Sequence, residues 1–84
     1  MVSARGTDQY RVVFRAGELA IVTVRGDGDS DLDLYVYDAS GRLLVKDDDN
    51  TDRCIVMFTP TSTSEYTIRV VNRGVANRYT IRTN

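Results

Sequence analysis

Apolar and polar residues alternate with a period of two along this chain, in short runs separated by clusters of Gly, Asp, Asn and Ser, and no stretch carries apolar residues at helical spacing. The first run, Gln9 to Phe14, places Tyr10, Val12 and Phe14 on one face. Ala16 and Gly17 then turn the chain into Glu18 to Arg25, where Leu19, Ile21 and Thr23 alternate with Ala20, Val22 and Val24. After the polar stretch from Gly26 to Asp31, Leu32, Leu34 and Val36 point one way and Asp33, Tyr35 and Tyr37 the other. Asp38 to Gly41 reads as a hairpin turn in which Gly41 takes positive φ, and the chain returns along Arg42 to Lys46.

A second acidic stretch, Asp47 to Asp52, precedes a strand from Arg53 to Phe58. That strand buries either Cys54, Val56 and Phe58 or Ile55 and Met57, and periodicity does not choose between them. Pro60 ends it. Glu65 to Val71 follows with Tyr66, Ile68 and Val70 on one face, Asn72 to Gly74 turn the chain, and Arg78 to Arg82 close it with Tyr79 and Ile81 inward. Turn signals about every ten residues predict an all-β fold, a small antiparallel β-sandwich of jelly-roll type with about seven to eight short strands.

At 84 residues the chain holds one domain, 1–84, with 1–6 read as a flexible N-terminal extension. A net charge of −1 supplies no overall attraction to nucleic acid or to an anionic membrane, so neither is expected as a partner. The charge is nevertheless polarised, because most acids lie between Asp27 and Asp52 while Arg53, Arg69, Arg73, Arg78 and Arg82 follow against Glu65 alone. Histidine is absent and Cys54 is the sole cysteine, which removes Cys/His zinc sites, Ser-His and Cys-His nucleophile pairs, and an internal disulfide. No apolar run approaches the roughly 20 residues needed to cross a bilayer, and the N-terminus lacks the pattern of a signal peptide. The chain therefore reads as an excised domain with a start methionine, whose export to an extracellular or periplasmic location would be directed by a larger parent.

The order of motifs extends this reading: Tyr10 and Phe14-Arg15-Ala16-Gly17-Glu18, then Asp31-Leu32-Asp33-Leu34-Tyr35-Val36-Tyr37-Asp38, Gly41, Asp47-Asp48-Asp49, Phe58-Thr59-Pro60, Glu65-Tyr66-Thr67-Ile68-Arg69-Val70 and Tyr79-Thr80-Ile81. In that order the chain resembles the bacterial pre-peptidase C-terminal domain family from about Thr7 onward. The resemblance implies a jelly-roll-like sandwich beside secreted peptidases and other extracellular enzymes, related to the collagen-binding domains of clostridial collagenases and without catalytic activity. It also implies calcium binding by acids of the loop before the third strand, here Asp27, Asp29 and Asp31. The sequence departs from the family pattern at Ser64-Glu65 and at Asn77-Arg78-Tyr79, where glycines are usual, and its N-terminal segment offers only Asp8 as a further ligand.

Carboxylates two residues apart in a Gly-containing loop can converge on calcium, which takes six to eight oxygen ligands, so Asp27, Asp29 and Asp31 are candidate ligands and Asp47 and Asp49 candidate supplements. The competing reading is a pair of solvated turns. Tyr35 and Tyr37 share the face opposite Leu34 and Val36 and are candidates for surface contact, whereas Tyr66 and Tyr79 read as core. Arg69, Arg78 and Arg82 are expected to share the outer face of one sheet, where they would grip an acidic partner or sit in weak cross-strand pairs. Asp33 reads as structural, paired to a backbone amide or an arginine, and Cys54 as an inert core residue.

Together these features point to a non-catalytic extracellular accessory module that binds a protein or polysaccharide surface, stabilises its parent secreted enzyme, or both, with calcium as the candidate cofactor. The alternative is a structural domain that self-associates through its edge strands. An enzyme built on Asp31 and Asp33 as acid and base is disfavoured by the lack of room for a water-excluding cleft.

Overall fold

A computed structural model of the protein describes residues 6–26, 31–48, 53–73 and 79–84. Among these residues the alternation resolves into seven strands: β1 (Thr7–Phe14), β2 (Ala20–Gly26), β3 (Leu32–Tyr37), β4 (Leu43–Asp47), β5 (Arg53–Phe58), β6 (Ser64–Asn72) and β7 (Tyr79–Thr83). They form two antiparallel sheets, ordered β1-β6-β3-β4 and β5-β2-β7. Consecutive strands stay in one sheet at β3–β4 and change sheet at each other step, which gives the sandwich its jelly-roll-like connectivity.

The apolar half of each run faces the space between the sheets. Val22 and Val24 of β2, Leu32, Leu34 and Val36 of β3, and Ile68 and Val70 of β6 are buried there. The open choice on β5 is settled by Cys54 and Val56, which are buried, leaving Ile55 53% and Met57 57% exposed. Cys54 also directs its thiol to the Leu32 carbonyl, 3.1 Å away, and Leu32 belongs to the opposite sheet. One end of the core is closed by Phe14, Phe58 and Tyr66, with ring centroids 5.4 Å to 5.9 Å apart. The Tyr66 hydroxyl donates to the Ser62 carbonyl at 2.9 Å and so ties the β5–β6 loop to the strand it leads into.

Two turns rely on glycine in the left-handed region, Gly17 at φ 78° and Gly41 at φ 88°. In the β3–β4 hairpin the Asp38 carboxylate accepts from the Ser40 amide at 3.0 Å, the Ser40 hydroxyl at 2.7 Å and the Arg42 amide at 2.9 Å. Tyr79, expected as core, is half-buried and packs against the core at the side of the sandwich where β7 lies beside β1.

Antiparallel pairing sorts the chain into two poles. The turns 15–19, 38–42 and 59–63 gather at one, and the strand ends that flank the two acidic stretches, Gly26 and Leu32, Asp47 and Arg53, gather at the other together with the end of β6 and the start of β7.

Candidate functional site

Each sheet presents an outward face, and the two faces differ in chemistry. On the four-stranded sheet, β3 turns Asp33, Tyr35 and Tyr37 outward, and β6 turns Thr67, Arg69 and Val71 the same way, with Tyr35 opposite Arg69. The Arg69 guanidinium carbon lies 5.0 Å from the centre of the Tyr37 ring, within cation–π range. Asp33 is only 1% exposed although it lies on the outward side, because the Arg73 guanidinium and Tyr35 cover it. Arg73 Nε donates to Asp33 Oδ2, and Arg73 Nη2 donates to the Tyr35 hydroxyl at 3.2 Å. These contacts raise the Arg73 pKa above its already high ordinary value, with the hydrogen bond to Asp33 as the largest cause. The Arg73 amide also donates to the Asp31 carbonyl at 3.0 Å, so one residue joins the start of β3 to the end of β6 through backbone and side chain alike.

The expected contact residues Tyr35, Tyr37 and Arg69 thus do come together, in a network that leaves Asp33 Oδ1 and Arg69 Nε buried without a hydrogen-bond partner among the described residues. Arg82 does not join them. It lies on β7 in the other sheet, so the expectation that it shares an outer face with Arg69 is corrected by strands that alternate between sheets. Arg78 falls outside the described residues.

At the acidic pole, Asp27, Asp29 and Asp49 also fall outside the described residues. Asp31 is half-buried just before β3, and Asp47 Oδ2 accepts from the Ile55 amide at 2.9 Å, bracing β4 against β5. Asp48 is paired with Lys46 at 3.0 Å, a contact that lowers the Asp48 pKa and raises that of Lys46. Among the described residues no three acidic, histidine or cysteine side chains converge as a metal site, so a calcium site here turns on Asp27, Asp29 and Asp49.

Of the described residues on the outer face of the three-stranded sheet, the sequence singled out Arg82 alone as a contact candidate. Its positions form a grid set by register: Met57 beside Ile21, then Ile55 beside Thr23 beside Arg82, then Arg53 beside Arg25 beside Thr80. One corner is apolar and exposed; the other holds guanidinium groups and hydroxyls. Thr23, Arg25, Thr80 and Arg82 line a shallow depression of about 360 Å³. The signal was present in two strands as Thr-x-Arg, at Thr23 to Arg25 and Thr80 to Arg82. Recognising it needed the β2–β7 register, which no local pattern carries.

Another concavity, about 400 Å³, opens at the opposite pole between the β3–β4 turn and the β5–β6 loop, over Val45, Phe58 and Tyr66. Apart from Asp38, whose carboxylate is committed to its own turn, its lining is apolar or hydroxyl-bearing. Asp38 is held below its ordinary pKa by the hydrogen bond from Ser40 first and from the Arg42 amide next. Comparison with known proteins adds no relative: neither a family model nor a curated protein matches the chain.

Proposed function

We propose that the chain is a non-catalytic accessory module of an extracellular protein, which docks on a polysaccharide or protein surface through the outer face of its three-stranded sheet. The observation that carries this reading is the exposure of Met57 and Ile55, paired with the half-buried Ile21 and Thr23 and lying directly beside Arg25 and Arg82. Apolar side chains more than half exposed, rimmed by arginine, have the composition of a contact surface, where burying the apolar part supplies affinity and the guanidinium groups supply orientation. On the opposite sheet Arg73, Asp33 and Tyr35 bond to one another and Arg69 lies over Tyr37, which favours a structural role for that cluster even though Asp33 Oδ1 and Arg69 Nε keep no hydrogen-bond partner among the described residues. The resemblance of motif order to the pre-peptidase C-terminal domains supports the accessory role and the extracellular setting, and calcium at the acidic pole belongs to the same reading.

The test is retardation of the protein in native gels cast with polygalacturonate, with xylan or with gelatin. Retardation by one matrix, abolished in Ile55→Ser/Met57→Ser while the melting curve is kept, supports docking through this face. Equal retardation of the double variant, or none in any matrix, refutes it.

A second reading is self-association, with the same apolar patch covered by another copy. Edge pairing through β5 is opposed by Asp47, whose carboxylate already occupies the outward Ile55 amide. Light scattering over a concentration series separates a docking monomer from a self-associating domain.

A further inference from the structure

We infer that Thr23, Arg25, Thr80 and Arg82 form a subsite for an oxyanion borne by a polysaccharide, a carboxylate or a sulfate on its sugar units. The inference rests on the docking role of this face and names the chemistry that the face selects.

On the four-stranded sheet Arg11 meets Glu65, Lys46 meets Asp48, Arg73 meets Asp33 and Arg69 covers the Tyr37 ring. On the three-stranded sheet Arg25 and Arg82 have no ion pair among the described residues, and the described outward positions of β5, β2 and β7 include no carboxylate. Two guanidinium groups without an ion pair among the described residues, on one face, are complementary to an external anion.

The register fixes what kind of anion fits. Arg25 stands opposite Thr80 and Thr23 opposite Arg82, so the two arginines are diagonal neighbours, about 7 Å apart at their Cβ atoms, with a hydroxyl beside each. Two flexible guanidinium groups at that spacing can converge on one oxyanion and donate charge-assisted hydrogen bonds to separate oxygens. The threonine hydroxyls, which donate and accept, match the hydroxyls of a sugar ring. No aromatic side chain occupies the described outward positions of this sheet, so bases would find no stacking surface. The adjoining Ile55, Ile21 and Met57 give an apolar strip against which the carbon face of a sugar can lie.

Calorimetric titration tests this with oligogalacturonate as the carboxylate probe, a heparin-type oligosaccharide as the sulfate probe, and a neutral maltooligosaccharide, polyglutamate and a single-stranded oligonucleotide as the contrasts. The expected result is binding of one or both charged sugars that weakens with added salt, falls at least about tenfold in Arg25→Gln/Arg82→Gln and is unchanged in Arg42→Gln, which alters an exposed arginine of the β3–β4 hairpin. Which charged sugar binds identifies the oxyanion. Should the double variant melt early, amide shifts of the unaltered protein give the same answer by centring on Thr23, Arg25, Thr80 and Arg82. Unchanged binding in the double variant, equal binding of any contrast probe, or binding of no probe overturns the inference. Retardation that is lost in Ile55→Ser/Met57→Ser and kept in Arg25→Gln/Arg82→Gln would remove the oxyanion subsite and leave the docking face standing.

Discussion

Tyr79 on β7 donates its hydroxyl hydrogen to Asp8 on β1, 2.7 Å away, and so clips the edge of one sheet to the edge of the other. Because that hydrogen is committed to Asp8, the hydroxyl of Tyr10 donates to Tyr79 in turn. Burial first, then the bonds to Tyr10 and Asp8, raise the Tyr79 pKa above its ordinary value of 10.0. A phenol whose folded pKa is raised contributes stability in full below its unfolded pKa and loses it as the pH climbs through the folded one. Stability should therefore fall on going above about pH 10, and less so in Tyr79→Phe. At neutral pH that substitution should cost about 1 kcal/mol in denaturant unfolding, the typical loss for one intramolecular hydrogen bond. A Tyr79→Phe protein as stable as the parent would show that the clip holds nothing.

Asp33 and Arg73 set a second expectation. Arg73→Gln leaves the nearly buried Asp33 carboxylate without its cation, whereas Asp33→Asn/Arg73→Gln removes the charge together with its partner. Thermal melting should rank Arg73→Gln below the double variant, and both below Arg42→Gln. A double variant that melts no higher than Arg73→Gln would mean that the two residues act independently.

The Asp38 turn should be sensitive to acid. Its carboxylate is held below an ordinary pKa of 3.8 by the bonds from Ser40 and Arg42, and Asp48 is held below the same value by Lys46. A depressed carboxylate stabilises the fold above its unfolded pKa and ceases to do so as the pH falls through the folded value. Carboxyl resonances of both residues should accordingly titrate below 3.8, with the Ser40 amide following Asp38. Midpoints at or above that value would contradict the turn geometry.

For calcium, the expectation is a melting temperature that rises with the ion and returns on chelation, with a gain of about 2.7 kcal/mol at a hundred times its dissociation constant. Asp27→Asn should remove the response and Asp48→Asn should not, since Asp48 is paired with Lys46. Identical melting in calcium and in chelator would take the ion out of the account.

The fold was legible where period two decides burial. Leu32, Leu34 and Val36 face in and Tyr35 and Tyr37 face out, and Gly41 takes the positive φ that its turn demands. On β5 both faces are apolar in sequence, and burial is decided by the strand's packing against Leu32, a tertiary choice with no local signal. The contact residues were harder to read, because an outward face is assembled from strands distant in sequence. Arg69 and Arg82 look like neighbours along the chain and lie on opposite sheets, while Arg25 and Arg82 are far apart in sequence and nearly adjacent. Arg73 was visible as one arginine among several, and its role emerged only with its position beside Asp33.

The docking role depends most directly on which sheet face meets the ligand. Amide shifts recorded during titration with oligogalacturonate measure this on the unaltered protein. The expected map is a cluster at Ile21, Thr23, Arg25, Ile55, Thr80 and Arg82, with Tyr35, Tyr37 and Arg69 unmoved; a map centred on those last three residues would contradict it.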